Sequence, residues 1–330
     1  MHCLQTPFAR CNRFEAVGLT RQSLAAIITV KTGPSARALR NLNLHSTPPS
    51  LTPYIDSPRL NGPLWRGSQG TRMSLRTFYY VYEQRLLRQI RRRPSPRHVG
   101  IILDGNRRHG RSLGLTDPRA IYGLGAQKLD DMLDWCAELG IPVVTLWVFS
   151  TDNLQRPPEE VTGIFGAIET KMTALASDPQ IHRRRVRVRA IGELALVPAS
   201  TLAAIRSAEQ ATRAYNAMQL NIAVAYGGRE EIVDAVRGTL RKMASEGATL
   251  SEAIERLTPD TIAGRLYTAG LPDPDLIIRT SGEIRLSGFL LWQSAHSEFY
   301  FSDVNWPAFR HVDFLRAIRA YQGRQRRHGR

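Results

Sequence analysis

Cysteine and long apolar runs are both scarce in this chain of 330 residues. The three cysteines, Cys3, Cys11 and Cys136, are too few and too scattered for a disulfide framework or a zinc site, a pattern typical of a cytoplasmic protein. Cys136 falls in a helical pattern, which predicts a buried thiol of the core. No apolar run approaches the roughly 20 residues of a membrane-spanning helix, so any membrane contact is predicted to be peripheral, at the inner face of the cell membrane.

Acidic side chains are also few, 29 against 45 lysines and arginines, which gives a net charge of +16. Most of this excess lies in residues 1–97 and 313–330, and the body between them is close to neutral. A nucleic-acid groove carries its positive charge on the folded body and interleaves it with aromatic side chains. The distribution therefore indicates solvated basic arms and no nucleic-acid partner.

Residues 1–72 differ in composition from the rest of the chain. They are rich in proline, serine, threonine and arginine and lack sustained periodicity, so we predict that they do not pack. Two explanations are open, an acid-poor transit peptide or a translation start at Met73. Residues 73–97 predict a basic amphipathic helix that covers the fold, with an acidic lipid surface as the alternative. Its apolar positions recur at helical spacing: Leu75, Phe78, Tyr79, Tyr82, Leu86 and Ile90.

Strand-like and helix-like segments alternate from residue 98 onward. Short apolar runs predict strands at 99–103, 143–149, 186–191, 220–225, 276–279 and 299–301. Helical patterns lie between them at 120–139, 159–176, 198–215 and 229–245. Such alternation is typical of β-α-β crossovers and a mainly parallel sheet. In the last helix one apolar stripe is predicted to face the core: Ile232, Val233, Val236, Leu240 and Met243.

Polar clusters follow four of these strands. They read DGNRRHGR from Asp104, STDNLQRP from Ser150, YGGR from Tyr226 and TSGEIRLSG from Thr280. The carboxyl ends of parallel strands meet at one edge of a sheet, so these clusters are expected to share a cleft. Arginines bind phosphate oxygens through forked hydrogen bonds, and a carboxylate such as Asp104 can hold a hard cation. Together the clusters predict a diphosphate-binding cleft; each one alone also fits an ordinary strand-to-helix turn.

Residues 98–330 resemble the cis-prenyltransferases, the family that elongates allylic diphosphates with isopentenyl diphosphate. The motifs LDGNRR, FSTDNLQRP, AYGGR, RTSGEIRLSGFLLWQ and SEFYF occur in the family's order. The chain is most similar to the short-chain Z-farnesyl diphosphate synthases of actinobacteria. The resemblance implies a single-domain α/β enzyme, a homodimer with a six-stranded, mostly parallel sheet flanked by helices. It also implies Mg²⁺, isopentenyl diphosphate and an allylic diphosphate such as geranyl or farnesyl diphosphate.

The resemblance also implies roles for individual residues. Asp104 and Glu298 are the expected metal-binding acids, and Asn153 is expected to orient or relay the proton that is lost. The isopentenyl diphosphate site is expected to comprise Arg279, Arg285, Leu286 and Ser287. The allylic diphosphate is expected to bind a larger set: Gly105, Asn106, Arg107, Arg108, His109, Tyr122, Ser150, Thr151, Asp152, Leu154 and Arg156.

The chain departs from the family at three of these positions. His109 and Leu154 stand where many members have tryptophan, and Tyr122 replaces a phosphate-binding histidine whose hydrogen bond a hydroxyl could still donate. These changes bear on substrate orientation and chain length. The tail Arg327-His328-Gly329 resembles an arm that some members extend across the dimer interface, with a frayed arm as the alternative.

A second acidic motif follows the spacing DDxxD, with Asp130, Asp131 and Asp134 on one face of a predicted helix. This spacing marks the metal site of the all-helical trans-prenyltransferases. Those enzymes need a second aspartate-rich motif, whereas this chain has alternating strands and no second copy. We therefore interpret the motif as an exposed acidic helix face.

The hydrocarbon is expected to enter an apolar tunnel between sheet and helices, past Val148, whose size would set product length. We predict a short-chain product such as Z,E-farnesyl diphosphate. A longer polyprenyl diphosphate, such as the decaprenyl or undecaprenyl compound, is the alternative. A non-catalytic partner subunit is a further alternative, against which the joint presence of Asp104, Asn153, Arg279 and Arg285 argues.

Overall fold

The computed structural model describes residues 75–324, with side chains from residue 78 onward. The predictions for residues 1–72, for the side chain of Leu75 and for Arg327-His328-Gly329 lie outside this range. Across residues 75–324, every helix is too short or too polar to span a bilayer.

Six strands form one sheet in the order β3-β4-β2-β1-β5-β6, and every pairing is parallel. The strands are β1 His98–Ile102, β2 Val143–Trp147, β3 Val186–Ile191, β4 Met218–Ala223, β5 Leu276–Arg279 and β6 Glu298–Phe301. The six strands predicted from the apolar runs are thus confirmed, with bounds that differ by two residues or fewer. The central strand β1 is buried along its whole length, whereas the edge strand β3 turns Arg187 and Arg189 outward. This contrast is expected for a sheet covered on both faces, because only its edges reach water.

The crossovers and termini contribute the helices. They are α1 Leu75–Ile90, α2 Asn106–Ser112, α3 Pro118–Glu138, α4 Pro158–Ser177, α5 Pro179–Arg183, α6 Ala199–Thr212, α7 Gly228–Ser245, α8 Leu250–Arg256, α9 Pro259–Ala263 and α10 His311–Gly323. The four long helices predicted between strands correspond to α3, α4, α6 and α7. Asp117 caps α3 by accepting hydrogen bonds from two backbone N–H groups, and proline opens both α3 and α4.

The buried face of α7 is not the one that its apolar stripe predicted. Glu231, Ala235, Thr239 and Met243 are buried, whereas Val233 and Leu240 are 45% and 37% exposed. Only Met243 of the predicted stripe is fully buried. Ile232 and Val236 are half-buried, so the apolar stripe packs against the fold along one side and leaves Val233 and Leu240 exposed on the other.

Helix α1 lies within the segment for which a basic amphipathic helix was predicted. Leu86 and Ile90 of the predicted apolar positions are buried, and α1 packs against α10. Phe78 and Tyr79, nearer its start, are exposed. The second half of the helix therefore covers the fold, and the first half carries aromatic side chains at the surface.

A buried network of polar side chains links three neighbouring strands, β1, β2 and β4. His98 on β1 contacts the Pro272 carbonyl through Nδ1 at 2.7 Å and Thr145 Oγ1 on β2 through Nε2 at 2.8 Å. Asn221 on β4 donates to the same Thr145 oxygen at 2.9 Å. A carbonyl can only accept, so the His98 proton stands on Nδ1 and Thr145 donates to Nε2. Burial lowers the pKa of His98 to about 4, so the ring is neutral in the fold near neutral pH.

Acidification is therefore expected to destabilise the fold through His98. The folded pKa lies below the unfolded value of 6.5, so between about pH 6.5 and pH 4 the unfolded chain takes up a proton that the folded ring does not. The free energy of unfolding should fall over this window by on the order of 3 kcal/mol. Urea unfolding at pH 7 and pH 5 measures the effect. His98→Gln should show a shallower pH dependence than the parent, and equal slopes would contradict the assignment.

Candidate active site

A cleft of about 550 Å³ lies at the carboxyl edge of the sheet, where β1, β2 and β5 end. Six arginines and three carboxylates line this arginine cleft, so its net charge is positive. Thirteen of the predicted site residues are brought together there: Asp104, Gly105, Asn106, Arg107, Arg108, Tyr122, Ser150, Asp152, Asn153, Arg156, Arg279, Arg285 and Ser287. Arg111, Glu283, Trp147 and Val148 also line it.

The remaining predicted residues do not line the cleft: His109, Thr151, Leu154, Leu286 and Glu298. Leu286 instead packs against the small apolar cluster that contains Phe289. Glu298 is the first residue of β6 and pairs in register with Leu276, the first residue of β5. It therefore lies at the amino edge of the sheet, opposite Asp104, and forms an ion pair with Arg324. Within one chain the structure does not bring the two expected metal-binding acids together.

Asp104 and Arg279 form the centre of the arginine cleft. Arg279 Nη2 donates to Asp104 Oδ2 at 2.9 Å, and Nη1 donates to the Arg285 carbonyl at 2.5 Å and to Ser287 Oγ at 2.9 Å. The guanidinium is only 6% exposed, whereas the Asp104 side chain is 32% exposed. Arg279 Nε is buried and has no acceptor among the described residues. A desolvated cation thus holds both the acid and the loop that carries Arg285 and Ser287.

The backbone around Asp104 is fixed from two sides. Thr280, the residue after β5, accepts a hydrogen bond from Asp104 N at 2.9 Å and donates to Asp104 O at 2.7 Å through its hydroxyl. Gly105 follows with φ of +96°, and a Cβ there would stand 2.4 Å from Asn305 Oδ1. Both the positive φ and the approach of Asn305 require glycine at this turn.

Glu283 joins two arginines from opposite sides of the cleft. Its Oε1 accepts from Arg108 Nη2 at 2.8 Å, and its Oε2 accepts from Arg285 Nη1 at 2.5 Å. The two guanidiniums lower the pKa of Glu283 below its usual value, led by the hydrogen bond from Arg108. The carboxylate therefore stays charged and keeps the two guanidiniums close together.

A second anchored arginine lies on the other side of the cleft. Arg156 Nη1 donates to the Tyr122 hydroxyl at 2.8 Å and to Glu160 Oε1 at 2.9 Å, and Tyr122 donates to the same carboxylate at 2.7 Å. Burial alone would raise the pKa of Glu160, but the Tyr122 hydroxyl and the arginines hold it below its usual value. The Tyr122 hydroxyl therefore donates its one hydrogen bond to Glu160. Sequence reasoning missed Glu160, although its position four residues after Arg156 is the spacing of a helical ion pair.

Asn153 is held in the cleft by a local hydrogen-bond pair. Its Oδ1 accepts from Ser150 N at 3.0 Å, and Ser150 Oγ accepts from Asn153 N at 3.2 Å, which closes a capping box on the turn after β2. Because the amide oxygen is engaged, the Nδ2 group is the part of this side chain left for a ligand.

An apolar cavity of about 60 Å³ adjoins the arginine cleft. It lies between the sheet, α3 and α4, and shares Leu103, Asn106, Tyr122 and Val148 with the lining of the cleft. Asn106 Oδ1, at this junction, is buried without a partner among the described residues. Beyond the junction the lining is almost wholly apolar, with Leu129, Ile168 and Met172 at its inner part.

Residues 75–324 contain no group of three or more His, Cys, Asp or Glu side chains suited to hold a metal ion. Each acid of the DDxxD motif is instead in an ion pair: Asp130 with Lys171, Asp131 with Lys128 and Asp134 with Arg184. Of the three carboxylates that line the arginine cleft, Glu283 is held by Arg108 and Arg285, and Asp104 is the acid that was predicted to bind a metal. Such a site fits a hard cation only when the ligand itself supplies further oxygen atoms.

A positive cleft that opens into a narrow apolar cavity is suited to ligands with an anionic head group and a hydrocarbon tail. Residues 102–329 match the family model Prenyltransf, which is described as undecaprenyl diphosphate synthase. The chain belongs to this family and is a cis-prenyltransferase.

Individual relatives extend over most of the chain. An isoprenyl transferase of Thermus thermophilus is 56% identical over 255 residues, which cover 77% of this chain and 97% of the relative. A (2Z,6E)-farnesyl diphosphate synthase of Thermobifida fusca is 55% identical over 251 residues, 76% of this chain and 96% of the relative. A crystal structure of lavandulyl diphosphate synthase from Lavandula x intermedia, in complex with dimethylallyl diphosphate, superposes with a TM-score of 0.65 at 33% identity. That match covers 72% of this chain and 99% of the plant protein.

Proposed function

We propose that this protein joins isopentenyl diphosphate to a short allylic diphosphate, with Mg²⁺, and releases a short Z-prenyl diphosphate. The observation that carries the proposal is the junction of two spaces at Val148 and Tyr122. One side of that junction is an arginine cleft suited to diphosphates, and the other is a narrow apolar cavity suited to a hydrocarbon.

The two diphosphates would occupy different sides of the cleft. Arg279, Arg285 and Ser287 form one connected group, which supports a single anion site for isopentenyl diphosphate. The turn from Gly105 to Arg108 and the anchored Arg156 form the other side, next to the cavity, where the allylic diphosphate would lie. In the structure Glu283 forms ion pairs with Arg108 and Arg285. When both substrates bind, phosphate oxygens would replace its carboxylate as the partners of these two arginines.

Asp104 is the residue that would hold Mg²⁺. Its carboxylate is partly exposed at the cleft, and the oxygen donors it lacks would come from diphosphate and water. The ion, when bound, would withdraw charge from the departing diphosphate. Glu298 lies at the other edge of the sheet and is not part of this site within one chain.

The chain's own residues would supply orientation and charge in the reaction. The guanidiniums on the allylic side would stabilise negative charge as the carbon–oxygen bond of the allylic diphosphate breaks. The double bond of isopentenyl diphosphate supplies the electron pair for the new bond to that carbon, and the released diphosphate keeps the electrons of the broken bond. The isopentenyl unit then loses a proton, which would pass to an oxygen of the released diphosphate. Asn153 would direct its Nδ2 group towards the diphosphates and hold the proton-losing carbon in place, because an amide is too weak a base to take the proton itself.

A short product is supported by the small volume of the apolar cavity, about 60 Å³. The Thermobifida fusca relative is named (2Z,6E)-farnesyl diphosphate synthase, which supports the same proposal.

A condensation assay tests the proposal directly. The full chain is incubated with radiolabelled isopentenyl diphosphate, Mg²⁺ and either dimethylallyl, geranyl or farnesyl diphosphate, and the dephosphorylated alcohols are sized. We expect consumption of label and a short dominant product, of about three isoprene units from dimethylallyl or geranyl diphosphate and about four from farnesyl diphosphate. Products of ten or more units would contradict the short-chain proposal, and no consumption with any starter would favour a non-catalytic subunit.

Val148 is expected to control product length because it lines both the cleft and the cavity. Val148→Ala widens the junction and should lengthen the product by at least one isoprene unit, whereas Val148→Leu narrows it and should shorten the product or slow its formation. The chain-length distribution under equal substrate conditions measures both effects. No change in either variant would remove Val148 from this role.

We propose that the chain works as a homodimer in which the exposed apolar face of α7 is covered. Val233 and Leu240 lie seven residues apart on this face, and both are substantially exposed in one chain. Light scattering should give a mass of about twice the chain mass. Val233→Glu combined with Leu240→Glu should shift the protein towards monomer. A monomeric parent, or a dimer that the double variant leaves intact, would contradict this interface.

A further inference from the structure

The inner end of the apolar cavity contains a charged residue. Among the described residues that line the cavity, Lys171 is the one with a charged side chain. Lys171 lies on α4 next to Met172. Met172 on α4 and Leu129 on α3 are the lining residues farthest from the arginine cleft along each helix. A charge in the wall of a hydrocarbon site is costly unless it has a partner.

Lys171 has its partner in the DDxxD motif. Its Nζ lies 2.5 Å from Oδ1 of Asp130 on α3, the residue that follows the cavity-lining Leu129. The lysine side chain is 14% exposed and the aspartate 53%. The stem of Lys171 therefore runs along apolar surface while its ammonium reaches a carboxylate at the surface. This pair ties α3 to α4 across the end of the cavity.

The two helices start at the cleft and are held close there as well. A Cβ at Gly163 of α4 would stand 2.6 Å from the Pro118 side chain of α3, so the helices approach closely near their first turns. From Ile164 to Met172 the wall formed by α4 extends about 12 Å. The cavity is thus bounded by Val148 at its mouth and by the Lys171–Asp130 pair at its inner end.

We propose that the Lys171–Asp130 ion pair closes the apolar cavity and sets the upper limit of product length. A growing hydrocarbon that reaches this point must displace the lysine stem, and displacement would separate the ammonium from its carboxylate. Val148 and Lys171 act in series, so the effect of Lys171 is largest once the mouth has been widened. This inference rests on the proposed short-chain function.

The test compares products in the Val148→Ala background. Lys171→Ala added to Val148→Ala is expected to lengthen the longest major product by at least one further isoprene unit. If the alanine variant does not fold, as judged by thermal unfolding, Lys171→Met carries the same expectation because methionine lacks the anchoring charge. The matched control is Arg184→Ala in the same background. It removes the ion pair to Asp134 on α3, does not line the cavity and should leave the distribution of Val148→Ala unchanged.

The outcomes separate the inference from the function on which it rests. If the unmodified protein makes short products and the Lys171 variants match Val148→Ala, the inference fails and the proposed function stands. If Arg184→Ala lengthens the product as much as Lys171→Ala, general loosening of α3 explains the shift and the inference fails. If the unmodified protein already makes long polyprenyl products, both proposals fail.

Discussion

Replacement of Asp104 by asparagine is expected to lower turnover at saturating substrate by roughly a thousandfold, because an effect of several kcal/mol on the barrier is lost. The amide keeps the shape of the side chain but not the charge that would hold Mg²⁺ and that pairs with Arg279. Steady-state turnover of labelled isopentenyl diphosphate over a range of Mg²⁺ concentrations measures the loss. Added Mg²⁺ should restore little of it, since the binding charge itself is gone.

Two controls make this result specific. Asp104 is partly exposed at a strand end, so the asparagine variant should unfold within a few degrees of the parent. The double variant Asp131→Asn/Asp134→Asn removes two acids of the DDxxD motif, whose side chains pair with Lys128 and Arg184 at the surface. It should retain turnover within about threefold, as expected for exposed ion pairs of small energy. Turnover near the parent rate for Asp104→Asn, or a large loss of turnover in the double variant, would contradict a metal site in the arginine cleft.

Replacement of Arg279 by lysine is expected to raise the KM for isopentenyl diphosphate by about a hundredfold. The guanidinium is buried and holds Asp104, the Arg285 carbonyl and Ser287 Oγ simultaneously. A lysine ammonium keeps the charge but lacks the planar fork that makes these contacts together. Steady-state kinetics with each substrate varied in turn measures the effect, and the KM for the allylic diphosphate should change much less.

Arg285→Ala provides a second test of the same subsite. Its side chain is 62% exposed, so the fold should tolerate alanine, and the KM for isopentenyl diphosphate should rise by about tenfold. Equal increases in KM for both substrates in either variant would contradict the division of the cleft into two diphosphate sites. An unchanged KM for isopentenyl diphosphate in both variants would remove this group from substrate binding.

The sheet could be predicted from the sequence because its strands are short apolar runs that end in polar clusters. Strands 186–191 and 276–279 were predicted with the bounds that the structure has. Parallel strands present their carboxyl ends at one edge, so the meeting of Asp104, Ser150 and Arg279 followed from the same pattern. Helix α2 was missed because its seven residues, NRRHGRS, have no apolar periodicity.

Two predictions differ from the structure, each for its own reason. The apolar stripe of α7 was assigned to the core, but periodicity does not say which layer covers a face, and the fold buries the face with Glu231 and Ala235. Glu298 was grouped with Asp104 through the family resemblance. Its position just before the predicted strand 299–301 was a signal for the amino edge of the sheet, and that is where the structure has it.

The ion-pair partners of individual arginines also could not be predicted from the sequence. The glutamates that anchor them, Glu160 and Glu283, contact arginines that come from different elements of the fold. Only the Arg156–Glu160 pair has a spacing that sequence could indicate. Long-range contacts such as Arg108 with Glu283 depend on how β1 and β5 are paired in the sheet.

The geometry of the newly formed double bond tests the central claim most directly. The full chain, Mg²⁺, carbon-13-labelled isopentenyl diphosphate and geranyl diphosphate are incubated together, and the product alcohol is examined by nuclear magnetic resonance. We predict that the label enters an alcohol whose new double bond is Z. A product with an E double bond, or no incorporation of label, would contradict the account.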